Sequence, residues 1–197
     1  MPNWCETTYK IVGNKEDLQS LYNILEEMHS SNKSVVENGY GNMWLGNLVG
    51  KLGYNWEDYP CRGEIIDYDF DTAKDVLTIW QDTAWNEQEG VRQAITEKYP
   101  SLKVYFMEEE PGCVVYFTND TTGEYFPDNY ILEYDGGHEY FQTIQELVNF
   151  LKREFNIDVN PTDEDIENAL EELEEKERET NEDAFFSLRK FIRDDNC

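Results

Sequence analysis

The chain has 197 residues, 43 of them acidic and 16 basic, for a formal net charge of −27 at pH 7. That length suits one compact domain with an appendage. With 39% hydrophobic and 14% aromatic residues it is too apolar for a disordered acidic chain. The charge excludes direct binding to phosphate backbones and to anionic membranes. It leaves cations and basic protein surfaces as partners, besides a plain solubilising role.

The elements follow in chain order. Trp4 to Val12 alternates as a strand and closes on Gly13-Asn14. Asn14 is placed to cap a helix carrying Leu18, Leu21, Tyr22, Leu25 and Met28, with Asp17 as a capping-box-like partner. His29, at the helix's C-terminal end, reads as a surface residue. Residues 31–63 interleave glycines with Tyr40, Trp44, Tyr54, Trp56 and Tyr59. They read as an ordered insertion with a short helix near Met43 to Val49. Glu64 to Phe70 and Asp75 to Gln81 form a hairpin across Asp71-Thr72-Ala73-Lys74. Asn86-Glu87-Gln88-Glu89 is a capping signal for a helix on Val91, Ala94 and Ile95 that ends before Pro100. Strands are expected at Leu102 to Met107, Cys113 to Thr118 and Glu124 to Tyr134. Thr143-Ile144-Gln145-Glu146 opens a further helix, and Thr162 caps another. Asp163 to Asp183 holds twelve acids against two bases. Phe185, Leu188, Phe191 and Ile192 suggest a last amphipathic helical segment.

This β-α-β-β-α-β order predicts an α+β fold of the ferredoxin-like split βαβ type, an antiparallel sheet with helices on one face. The expected division is a domain over 1–135, with the insertion at 31–63, and an acidic helical region over 136–197. Met1 to Cys5 lacks a basic segment followed by an apolar run. No secretory signal is therefore expected, and a cytoplasmic protein is. Cys5, Cys61, Cys113 and Cys197 are too widely spaced for a disulfide framework or a zinc site and read as reduced thiols.

Specific chemistry finds little support in the motifs. Asp67-Tyr68-Asp69-Phe70-Asp71 has Thr72 and Thr78 where a calcium loop needs Gly and Glu, so no metal is expected there. Period-two alternation makes Asp67, Asp69 and Asp71 one exposed strand face and puts Ile66, Tyr68 and Phe70 on the other. Gly46 to Leu52 misses the phosphate-loop spacing and its hydroxyl, and Gly39-Tyr40-Gly41 lacks the third glycine of a dinucleotide site. No residues fix a thiol beside His138. Glu108, Glu109 and Glu110 read as exposed turn charge rather than as a hydrolase pair. No catalytic residue, cofactor or metal is assigned. Trp44, Trp56, Trp80 and Trp85 form a candidate aromatic platform for a ligand or partner.

Met1-Pro2-Asn3-Trp4-Cys5, with a strand ending at Val12-Gly13, resembles the N-terminal signature of the YubB-like family. A second similarity is Trp80, Thr83-Ala84-Trp85 and then Tyr99-Pro100, where the family pattern is Trp-Gly-Thr-Lys-Trp. Trp80 stands one residue further out, Ala84 replaces the lysine, and Thr7 stands where the family often has Asn. The resemblance covers residues 1 to 120. It implies a ferredoxin-like domain of a phage- or plasmid-encoded bacterial protein and supplies no activity.

The leading expectation is a non-enzymatic interaction protein of a mobile element. It would engage a basic nucleic-acid-binding host protein as a DNA mimic, in counter-defence, through Asp67, Asp69 and Asp71 and through Glu164, Glu167, Glu171, Glu174 and Glu175. The alternative is a small-ligand-binding protein or enzyme that uses the aromatic insertion and nearby acids.

Overall fold

The structure is a computed structural model that describes residues 2–31, 33–37 and 39–194. Cys197 lies outside the described residues. The fold is α+β, in two units: residues 1–121 with 193–197, and residues 122–192.

In the first unit, β1 (Trp4–Val12) buries Cys5, Thr7, Tyr9 and Ile11 and turns Trp4, Glu6, Thr8, Lys10 and Val12 the other way. Gly13 makes the turn out of it at φ +145°. A Cβ there would lie 2.3 Å from the Ser101 carbonyl oxygen, so only glycine fits. Asn14 Oδ1 accepts from the Glu16 and Asp17 backbone N–H groups and starts α1 (Lys15–Ser30). The Asp17 carboxylate accepts from Ser101 Oγ at 2.6 Å, so the helix's first turn is anchored to a distant loop. Leu18, Leu21, Leu25 and Met28 recur at helical spacing and are buried, each Leu contributing about 1.5–3 kcal/mol.

The insertion contains α2 (Leu45–Leu52) and then a 3-10 turn at Trp56–Asp58. Beyond it, β2 (Gly63–Asp71) and β3 (Val76–Ala84) form the expected hairpin. Asp71 accepts from the Ala73 and Lys74 backbone and so belongs to the turn as much as to the strand face. Ile66 departs from expectation. A bulge between Ile65 and Asp67 leaves Ile66 opposite no residue and 56% exposed, while Ile65 is buried. The extra residue changes the phase of alternation, so Ile65, Tyr68 and Phe70 all reach the core while Asp67 and Asp69 stay outside.

α3 (Glu89–Lys98) begins at Gln88, three residues into the expected capping box. Asn86 does not cap it, and Glu87 turns into the interior instead. β4 (Lys103–Glu110) and β5 (Val115–Thr118) follow, and a two-residue β9 (Ile192–Arg193) ends the sheet. Strand order is β2-β3-β1-β4-β5-β9, and the β2–β3, β3–β1, β1–β4 and β4–β5 ladders are antiparallel. Core residues from α1, α2 and α3 join Tyr9, Ile11, Leu77, Ile79, Val104 and Phe106. These are the inward positions of β1, β3 and β4, so the three helices cover one face of the sheet.

The second unit contains a three-stranded sheet, β7-β6-β8, with β6 (Tyr130–Tyr134), β7 (Gly137–Phe141) and β8 (Phe186–Lys190). β6 thus pairs with strands from the C-terminal third rather than with the first sheet. The expected helical segment at Phe185 to Ile192 is mostly β8. Phe186 and Leu188 pack with Tyr134 and Phe155 around the core of Leu132, Phe141, Leu147, Phe150 and Leu151. α4 (Ile144–Phe155) starts on a complete capping box, Thr143 with Glu146. α5 (Asp163–Arg178) starts on Thr162, which accepts from Asp165 N, and buries Ile166, Leu170 and Leu173. Among the described residues no helix is long and apolar enough to cross a membrane.

Candidate functional site

The sheet face opposite the helices carries the side chains that alternate away from the core. Its order is set by register. Glu64 pairs with Asp82 across β2–β3, Asp82 with Glu6 across β3–β1, and Glu6 with Glu109 across β1–β4. Four carboxyl side chains therefore stand abreast on four adjacent strands. The strand spacing of about 4.8 Å makes the row about 14 Å long. Among the described residues Glu6, Glu64 and Asp82 form no ion pair. Like charges directly opposite destabilise a sheet, so the Glu64–Asp82 and Asp82–Glu6 pairs each stand at a cost. Asp67 and Asp69 extend the negative face along β2, with Trp80 opposite Asp67. Lys10, on β1, donates to Thr78 Oγ1 at 2.9 Å and lies 5.7 Å from the Trp80 ring centre. Partial burial lowers its pKa, against the pull of Asp69.

The expected acidic strand residues thus belong to a larger face. Glu6, Glu64, Asp82 and Glu109, which sequence reading missed, are contributed by four separate strands. Each is an ordinary outward acid in its own segment, and only the pairing aligns them.

On α5, Glu164, Glu167, Glu171 and Glu175 are exposed along the helix. Glu174 is not part of that stripe. Its carboxylate accepts from the Phe186 backbone N–H at 2.8 Å and pairs with Arg178 at 2.8 Å, so it fixes β8 to the helix.

The four candidate tryptophans separate. Trp44 and Trp56 meet edge to face, with ring centres 5.1 Å apart at 70°. They line a 490 Å³ cavity together with Trp4, Tyr40, Arg62 and Glu64. Trp44 is seated on Gly46, where a Cβ would fall 2.1 Å from the indole, so any side chain at Gly46 displaces the ring. Trp80 and Trp85 lie outside this pocket. Alternation of β3 sends Leu77 and Ile79 inward and Trp80 onto the open face. Trp85 sits after the strand at φ +75°, 46% exposed, its backbone N–H donated to the Asn3 carbonyl.

A third cluster is buried. Tyr9 Oη and Arg92 Nε donate to Glu87 Oε1, the latter at 3.3 Å, and the Glu87 N–H donates to Glu108 Oε2. Cys5 Sγ donates to the same Glu108 oxygen at 3.8 Å. Burial raises the pKa of both Glu87 and Glu108, and burial pushes the Cys5 thiol up to about 11. Cys5 is therefore a protonated donor, not a nucleophile. Glu108 and Glu110, expected as exposed turn charge, are buried because β4 continues to Glu110 with Val104, Phe106, Glu108 and Glu110 all facing inward. Among the described residues no group of three or more His, Cys, Asp and Glu is placed to hold a metal ion. No family model matches the chain, and no curated protein or solved structure matches it either.

Proposed function

We propose that the protein is a non-enzymatic binding protein whose acidic open sheet face docks a basic, nucleic-acid-binding protein in place of DNA. The observation that carries this reading is the in-register row of Glu64, Asp82, Glu6 and Glu109, in which Glu64, Asp82 and Glu6 stand directly opposite one another at a cost in stability. The first unit is read as a ferredoxin-like split βαβ domain. Its β1-α1-β2-β3-α3-β4 succession, with strand order β2-β3-β1-β4 and α2 as an insertion, supports that. A YubB-like, mobile-element origin and a cytoplasmic setting belong to the same reading.

The test is displacement of a fluorescent DNA duplex from a histone-like basic protein, followed by anisotropy. The chain is expected to release the duplex, with an apparent affinity that falls steeply as salt rises. The combined Glu6→Gln, Asp82→Asn and Glu109→Gln variant is expected to displace at least about tenfold less well, by the loss of close charge pairing. Displacement unchanged by the triple variant, or indifferent to salt, defeats the proposal.

A further inference from the structure

We infer that the pocket between Trp4, Tyr40, Trp44 and Trp56 is a binding site for a zwitterion with a methylated ammonium head group. Three observations lead there. First, the walls are aromatic and mutually inclined: Trp44 meets Trp56 at 70° and Tyr40 at 44°, with centres 5.1 and 5.3 Å apart. A flat base or ring is held best between two parallel faces. Inclined rings instead enclose a rounded group, and ring faces attract a cation within about 6 Å of their centres.

Second, among the described residues the lining is mostly aromatic and apolar, with Glu64 as its one anionic side chain. A primary ammonium carries three N–H donors that need acceptors once water is removed, whereas a quaternary nitrogen has none. The charged lining residues are Glu64 and Arg62. Glu64 can balance the ammonium charge, and the aromatic walls suit methyl groups better than N–H donors.

Third, Arg62 shares the lining with Glu64, so the two side chains together are neutral. A lone cation would gain from Glu64 and lose to Arg62. A ligand with a carboxylate or phosphate a few bonds from its ammonium satisfies both, because the guanidinium fork takes such anions in bidentate fashion. The 490 Å³ volume lies within the range of roughly 300–1,000 Å³ usual for small-molecule sites. The site lies beyond the protein-docking reading, sharing with it only Glu64.

Isothermal titration calorimetry with three probes tests the assignment. Carnitine carries the ammonium and a carboxylate, choline carries the ammonium alone, and 3,3-dimethyl-1-butanol is the neutral carbon analogue of choline. Choline is expected to bind about tenfold more tightly than the neutral alcohol, as cation–π attraction requires. Carnitine is expected to bind several-fold more tightly than choline, and Arg62→Gln to erase that difference. Glu64→Gln, at an exposed position, is expected to weaken both cations several-fold with the fold intact, and Trp56→Ala to abolish binding. Glu6→Gln and Glu109→Gln are expected to leave carnitine binding unchanged, which separates this site from the acid row. Equal affinity for choline and the neutral alcohol, or no heat from any probe, overturns the proposal. Carnitine no tighter than choline overturns the zwitterion assignment.

Discussion

Glu87 and Glu108 are carboxyls placed where their charged forms are disfavoured. Burial raises both above the ordinary value of 4.5, and the Tyr9, Arg92 and Cys5 donors only partly offset it. The consequence for stability has a definite sign. Between the unfolded value and the raised folded value, the folded chain holds a proton that the unfolded chain has lost. Unfolding then releases that proton, so stability falls as pH rises through the window and is restored on acidification. Glu108→Gln keeps an acceptor for the Glu87 N–H and removes the titration. Its urea midpoint is expected to fall less than wild type's as pH rises above the ordinary glutamate value of 4.5. An unchanged slope would remove Glu108 as a source. The burial of Glu108 was legible in principle, since Val104 and Phe106 set the phase that Glu108 and Glu110 continue. What concealed it is that three consecutive glutamates before Pro111-Gly112 resemble a turn, and a strand that buries carboxyls runs against the usual location of Glu.

At the scale of elements, β2 illustrates how one residue sets a face. Ile65 is buried and Ile66 is 56% exposed, although the two are chemically identical. With Ile66 deleted, Ile65 and Asp67 become neighbours opposite Gln81 and Trp80, and plain alternation keeps Ile65, Tyr68 and Phe70 inward and Asp67 and Asp69 outward. The deletion is therefore expected to stay within about 1 kcal/mol of wild type, read from urea unfolding, whereas an alanine inserted after Tyr68 sends Phe70 outward and is expected to cost about 2 kcal/mol or more. Ile66→Thr, which keeps the bulge and alters only an exposed side chain, is expected to stay within about 0.5 kcal/mol of wild type. If the deletion cost as much as the insertion, Ile66 would not be the one residue that the bulge absorbs. Helix starts were more legible than this bulge. Asn14, Thr143 and Thr162 all cap as their local sequences indicate, because a cap bonds to groups two or three residues away. The segment after Asn181 was misread because Phe185, Leu188 and Phe191 fit a helical period. Phe186 and Leu188 fit a strand equally well, and pairing with β6 decides between them.

For the whole molecule, charge is the dominant property. Eight salt bridges among the described residues involve largely exposed side chains, Arg92–Glu87 apart, and do little against a net −27. The folded state therefore repels itself, and screening should stabilise it. Its Tm is expected to rise between about 0.01 M and 1 M sodium chloride, as the Debye length falls from about 30 Å to about 3 Å. A Tm that falls with salt would mean that attractive pairs outweigh the repulsion.

The α+β class, the first strand and helix, the hairpin, three helix caps and the acidity itself were determined by the sequence, because each depends on neighbours within a few positions along the chain. Three arrangements needed the tertiary structure. The row Glu64-Asp82-Glu6-Glu109 exists only once β2, β3, β1 and β4 are paired in one register. The pocket joins Trp4, from the first strand, to Trp44 and Trp56 of the insertion, while Trp80 and Trp85 face elsewhere. The buried carboxyl cluster joins Cys5, Glu87 and Glu108 from three segments. In each case the deciding quantity is which residues stand opposite one another across strands or packed surfaces. Register and packing set that, and local sequence periodicity does not encode it.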